Sequence, residues 1–171
     1  MHSIAITKPF SRSFLIDRIV NNILGLKKVL NKPLLLESMD YNSYNSSNGY
    51  YEHICEPDFI NEIINKTGCY YLLDIGHAQV SAKNLGYKSV YDYLKLLPIE
   101  KTIEIHLNHP KIYKNIGKDK HLPLTNNEVN LVLYLKPRLK KLKALNLEVF
   151  SKKEDILKQL KLIREKLILN L

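Results

Sequence analysis

Seven side chains able to donate to a cation fall at comparable places along the chain: Glu37, Asp74, His77, His106, Asp119, His121 and Glu148. Glu37 closes the apolar run Leu34-Leu35-Leu36, Asp74 closes a second run, His106 ends a third, and Glu148 lies near the end of a fourth. Asp74 and His77 form an Asp-x-x-His motif, and Asp119 and His121 an Asp-x-His motif. Carboxylate and imidazole donors without cysteine are the ligand chemistry of iron, manganese or zinc, whereas thiolate-rich sites select softer ions. Seven such groups exceed what one ion needs, so two or three cations sharing bridging carboxylates are expected. Each group taken singly has a plainer reading. A strand-end Glu is commonly an ion-pair partner, Asp-x-x-His a helix cap with a surface imidazole, and Asp-x-His in a Lys-rich stretch a solvated loop. Their recurrence at successive strand ends is what argues for a shared site, since charges buried there without partners are costly.

The elements that must position these groups follow from hydrophobic patterning. Short continuous apolar runs predict strands over residues 4–7, 34–37, 69–75, 102–107 and 145–150. Helical spacing predicts helices over residues 15–30, 56–67, 90–97, 126–142 and 153–171, with Gly68 and Pro98 as stops and Pro137 as a kink. Strands lacking polar alternation, each followed by a helix, indicate a parallel sheet covered by helices, hence a single α/β domain over residues 1–171. In such folds the loops at the carboxyl ends of the strands converge on one crevice. Asp119 and His121 are expected in a loop after the third of the strong strands, and the polar stretch 40–51 in a loop over the site.

The chain has 171 residues, 45% hydrophobic and 25% charged, with a mean hydropathy of −0.21. This excludes a disordered tail or a collagen-like fibre. No run approaches the ~20 apolar residues of a membrane span, and two cysteines cannot form a disulfide framework. A cytoplasmic protein is expected. Twenty-six basic against 17 acidic residues give a net charge of +9. Much of that charge lies in residues 136–143 and 152–166, expected on solvated helical faces, so the balance does not by itself imply nucleic acid. His53 reads as a surface imidazole, His109 as a support for His106, Cys69 as core and Cys55 as loop.

The segment Glu56-Pro-Asp-Phe-Ile-Asn-Glu-Ile-Ile-Asn-Lys-Thr-Gly-Cys-Tyr-Tyr-Leu-Leu-Asp74 resembles a signature of the multinuclear non-haem iron-dependent oxidase (MNIO) family. So does Val80-Ser-Ala-Lys-Asn-Leu-Gly-Tyr-Lys-Ser-Val-Tyr-Asp-Tyr-Leu94, followed by Leu97-Pro98 and Glu104-Ile-His106-Leu, while Pro33-Leu-Leu-Leu-Glu37 resembles the family's preceding strand. That family belongs to the xylose-isomerase-like TIM barrels, which include endonuclease IV. The resemblance implies metal ligation by Glu37, Asp74, His77, His106, Asp119, His121 and Glu148, with His2 as a further ligand from an earlier strand. Many members carry Asn where this chain has His77, so the chain is similar to the subgroup with Asp-x-x-His. It also implies a partial (β/α) TIM barrel, the C-terminal part, with about five of the usual eight units.

The expected function is therefore a metal-dependent, iron-using oxidase acting on cysteines of a ribosomally made precursor peptide, with Asp74 and His106 central to catalysis. Two or three irons are expected, with zinc or manganese as substitutes. A precursor peptide is the expected partner. Either the chain is a truncated or split barrel, or a second chain or a further copy supplies the remaining strands. A membrane or nucleic acid is not expected. Two alternatives are an endonuclease IV-like phosphodiesterase, in which the same groups activate water, and a truncated binding protein without catalysis.

Overall fold

The computed structural model describes residues 10–41, 53–114 and 116–169. Helix α1 (Arg12–Val29) opens at Ser11, whose hydroxyl accepts the Phe14 N–H, and leads into strand β1 (Leu35–Glu37). Helix α2 (Pro57–Thr67) begins with Pro57 in its first turn, where no intrahelical donor is needed. It buries Phe59, Ile60, Ile63 and Ile64 along one face and stops at Gly68, whose φ of 62° suits a residue without Cβ. Strand β2 (Tyr70–Asp74) runs directly into helix α3 (Ile75–Asn84), followed by α4 (Val90–Leu96) and β3 (Thr102–Leu107). After a hairpin, β4 (His109–Ile112) and β5 (Gly117–Leu122), come helix α5 (Asn126–Leu135), strand β6 (Ala144–Leu147) and helix α6 (Lys153–Ile163).

Strands β1, β2, β3 and β6 form a parallel sheet in that order. Spatial order follows chain order and helices follow each strand, the arrangement of a stretch of barrel wall. The parallel α/β class expected above therefore holds, with four parallel strands and a two-stranded hairpin among the described residues. The strand expected over residues 4–7, the His2 ligand and most of the 40–51 loop lie outside the described residues. One face of the sheet feeds the core: Tyr71 and Leu73 of β2 and Ile105 and Leu107 of β3 are fully buried against Ile60, Ile64, Leu94, Val132 and Leu135 of the helices. Burying each such aliphatic side chain contributes about 1.5–3 kcal/mol. No helix among the described residues is long and apolar enough to cross a membrane.

The structure corrects several expectations. Residues 75–84 form a helix that periodicity does not reveal, because nearly every face is covered: Ala78, Gln79, Val80, Ser81 and Ala82 are all buried. Asp119 and His121 stand on an antiparallel strand rather than in a loop. Helix α5 ends at Leu135, and Lys136–Arg138 form a tight turn around Pro137 instead of a second helical half. The basic stretch 136–143 is thus not a helical face; Arg138 instead caps α4, donating to the carbonyls of Leu94, Lys95 and Leu97 and to Glu100. Cys55 is buried in a short turn, His53–Cys55.

Candidate metal centre

Strand register sets the site. Asp74 pairs with His106, and His106 with Asn146, so the ends of β2, β3 and β6 stand level. Glu37 pairs with Leu72, two residues before Asp74, and Glu148 lies two residues beyond Asn146. Side chains alternate along a strand, so Glu37, Asp74, His106 and Glu148 share the sheet face opposite the helical core. Asp74 also caps α3, its Oδ1 accepting the His77 N–H at 2.8 Å. The cap reading of Asp-x-x-His is therefore correct for Asp74, but His77 is not a surface imidazole, since its side chain is only 13% exposed.

Ligand atoms of Glu37, Asp74 and His77 all lie within 4.8 Å of one another, and so do those of Asp74, His106 and Glu148. Asp74 is common to both groups. Asp119 and His121 join through pairwise contacts: Asp119 Oδ2 lies 3.6 Å from His77 Nε2 and 2.7 Å from His121 Nε2. His121 Nδ1 is 3.9 Å from Glu148 Oε2. Seven of the eight expected ligands are thus brought together. The eighth, His2, lies outside the described residues.

Each of the three imidazoles is anchored by one nitrogen and presents the other. His77 Nδ1 lies 3.0 Å from the Ser38 carbonyl, and His121 Nδ1 lies 3.1 Å from the Glu148 carbonyl. A carbonyl only accepts, so both rings carry the proton on Nδ1 and turn Nε2 to Asp119. His106 is anchored through Nε2, 3.1 Å from Glu104 Oε1, with the Asn146 amide 3.3 Å from the same nitrogen. Its buried Nδ1 has no hydrogen-bond partner among the described residues, although Glu148 Oε2 is 3.2 Å away. Asp119 Oδ1 is likewise buried and unpartnered. Anchoring one nitrogen to a carbonyl or carboxylate is how metal-binding histidines are held. Unpaired buried donors of this type fit a cation.

Electrostatics agree with that fit. Burial raises the Glu37 and Asp74 carboxyls above their ordinary range, and His77 only partly offsets this. Burial disfavours charge on His77, yet Asp119, the Asp74 charge and the Ser38 carbonyl outweigh it and raise the imidazole to about 10. Asp119 is held low: His77 and His121 outweigh its desolvation. His121 adopts a φ of 47°, a strained conformation for a residue with a Cβ, and its ring lies against Phe150 at 5.2 Å.

Some participants escaped sequence reasoning. Asp40 lies near enough to His77, Asp119 and Asp74 to feel their charges, and burial raises its carboxyl; its place three residues after Glu37 was the available signal. Glu104 holds His106, and Asn108 donates to Asp74. His109, expected to support His106, instead pairs with fully buried Glu128 at 2.9 Å. His53 is half-buried and bonded to Glu56 rather than free at the surface. A cleft of about 810 Å³, lined by Pro57, Asn61, Tyr87 and Leu96 among others, shares no residue with the cluster.

These features define a parallel α/β chain that gathers carboxylates and imidazoles at the carboxyl edge of its sheet. A family model described as RiPP precursor modification enzyme MbnB/TglH/ChrH matches residues 8–164. The chain belongs to this family of enzymes that modify ribosomally made, post-translationally modified peptide precursors. It is also similar to a UPF0276 protein of Caulobacter vibrioides strain NA1000, 38% identical over 86 residues, 50% of this chain and 29% of that protein. A UPF0276 protein of Psychromonas ingrahamii is 39% identical over 89 residues, 52% of this chain and 29% of the relative. One from Rhizobium meliloti is 36% identical over 100 residues, 58% and 30% respectively. The matched part of the chain spans less than a third of the length of these relatives.

Proposed function

We propose that this chain carries the metal centre of an oxidase acting on cysteines of a ribosomally made precursor peptide, with Glu37, Asp74, His77, His106, Asp119, His121 and Glu148 as ligands and two or three irons as the cofactor. The observation that supports it most is the sharing of Asp74 between two ligand groups. Family membership supports the peptide substrate. Manganese and zinc suit the same donors. Bound iron would supply redox chemistry and lower the pKa of a substrate thiol.

The chain's own residues do the positioning. Ser38, Glu104 and the Glu148 carbonyl fix the three rings. Asp119 takes contacts from His77 and His121 at once, tying the hairpin to α3. His121 stands against Phe150, which is 82% exposed, and this apolar ring beside the cluster is where a peptide would make contact. The domain as a whole forms part of a xylose-isomerase-like barrel. With too few cysteines for a disulfide framework, a cytoplasmic setting fits.

The test is oxygen consumption by the anaerobically iron-loaded full chain on adding a cysteine-containing precursor peptide. Iron-dependent uptake with a mass change on the peptide is expected. Zinc-dependent cleavage of abasic DNA with no oxygen uptake would replace this reading with the phosphodiesterase one.

A further inference from the structure

The hydrogen bonds around Asp74 reach beyond the ligand set. Oδ1 accepts two donors, the His77 N–H at 2.8 Å and Asn108 Nδ2 at 3.1 Å. Oδ2 accepts one, the same Asn108 amide at 2.9 Å. An aspartate's terminal torsion is broad and soft, and only an outside donor can fix its plane. Asn108 is fully buried, and its own Oδ1 has no hydrogen-bond partner among the described residues. The amide therefore acts here through its donor end.

Space for the amide comes from one residue. A Cβ on Gly76 would lie 1.8 Å from Asn108 Oδ1 and 2.7 Å from its Cγ. Gly76 sits between Asp74 and His77, so the glycine of Asp-Ile-Gly-His is required by the side chain that reaches over from the end of β3.

We propose that Asn108 is a positioning residue for the shared carboxylate. Its Nδ2 reaches both carboxylate oxygens and, with the α3 N-terminus on Oδ1, fixes the carboxylate plane in the orientation that brings Asp74 within reach of both ligand groups. Gly76 is the space-making half of the same device. This inference rests on the cation-binding reading above.

The experiment titrates metal-free full chain with Mn2+, counting bound ions and recording the electron paramagnetic resonance spectrum for coupling between them. Wild type is expected to bind more than one Mn2+ with a coupled signal. Asn108→Ala should weaken at least one Mn2+ by ten- to hundredfold and diminish the coupling. Asn108→Ser, whose hydroxyl can reach one oxygen, should fall between. Gly76→Ala should displace the amide and cause the same loss. Combining Gly76→Ala with Asn108→Ala should recover the thermal stability lost by Gly76→Ala but not the Mn2+ binding, and this pair serves if a single variant does not fold. Wild-type affinity and spectrum in Asn108→Ala, or in the folded pair, would overturn the positioning role while leaving the cluster intact. Failure of the wild type to take up Mn2+ would overturn the cluster and the positioning role together.

Discussion

Asp74 stands directly across from His106 on the neighbouring parallel strand, and the same carboxyl group lies within ligand distance of Glu37 and His77 on its other side. One strand register thereby joins two ligand groups. The register is imposed by the outward-facing core, because a slip of one residue would turn Tyr71, Leu73, Ile105 and Leu107 out of the helical layer. Packing on one face of the sheet fixes chemistry on the other.

Glu104 orients His106 without joining either ligand group. Glu104→Gln is expected to leave the fold intact and weaken cation binding by about tenfold, the range found for residues that orient metal-binding histidines. Cation titration followed by calorimetry checks this, with circular dichroism to confirm folding.

Charge on the cluster couples binding to pH. His77 is raised to about 10 and Glu37, Asp40 and Asp74 are raised as well, so these four groups hold more protons in the folded metal-free chain than in the unfolded one. The His77 contribution is complete below its unfolded value of about 6.5 and is lost as pH rises through about 10. At lower pH the raised carboxyls of Glu37, Asp40 and Asp74 are opposed by the lowered ones of Asp119 and Glu128. Between about pH 6.5 and 10 the metal-free melting temperature should therefore fall as pH rises, whereas cation affinity should increase, because a cation displaces the His77 proton. Calorimetry in two buffers of different ionisation enthalpy should detect proton release at pH 8.

His121 holds a φ of 47° while presenting Nε2 to Asp119. Strain of this kind costs roughly 1–3 kcal/mol. His121→Gly is expected to leave the metal-free chain as stable as wild type or more so, despite losing the ring contact with Phe150, and to weaken cation binding at least tenfold. Parallel melting curves and cation titrations test both halves.

Glu128 marks a purely structural site. Its fully buried carboxylate accepts from Gln79, His109, Thr125 and Asn127, and these partners hold it below the usual glutamate range against its desolvation. Its stabilising effect is present above the unfolded value of about 4.5 and is lost as pH falls through its lower folded value. Glu128→Ala leaves several donors unpaired and is expected to destabilise by roughly 1–3 kcal/mol, lowering the urea midpoint.

Much of the architecture was legible because continuous apolar runs and helical stripes are direct consequences of a covered parallel sheet, and the ligand types at strand ends followed from the same reading. Helix α3 was hidden because burial on nearly all sides removes the stripe. The hairpin was hidden because β5 alternates Lys118, Asp119, Lys120 and His121, with lysines on one face, Asp119 and His121 on the other, and no apolar face to mark a strand. Asn108 and Gly76 carry no signal separately; their relationship is a contact between residues 32 positions apart that only the fold creates.

The central claim, that Asp74 is shared between cations, is tested most directly by elemental analysis of the full chain loaded anaerobically with Fe2+, comparing wild type with Asp74→Ala and His106→Ala. At least two irons per chain are expected in wild type, with loss from both groups in Asp74→Ala and a smaller loss in His106→Ala. Full iron content in both variants would contradict the account.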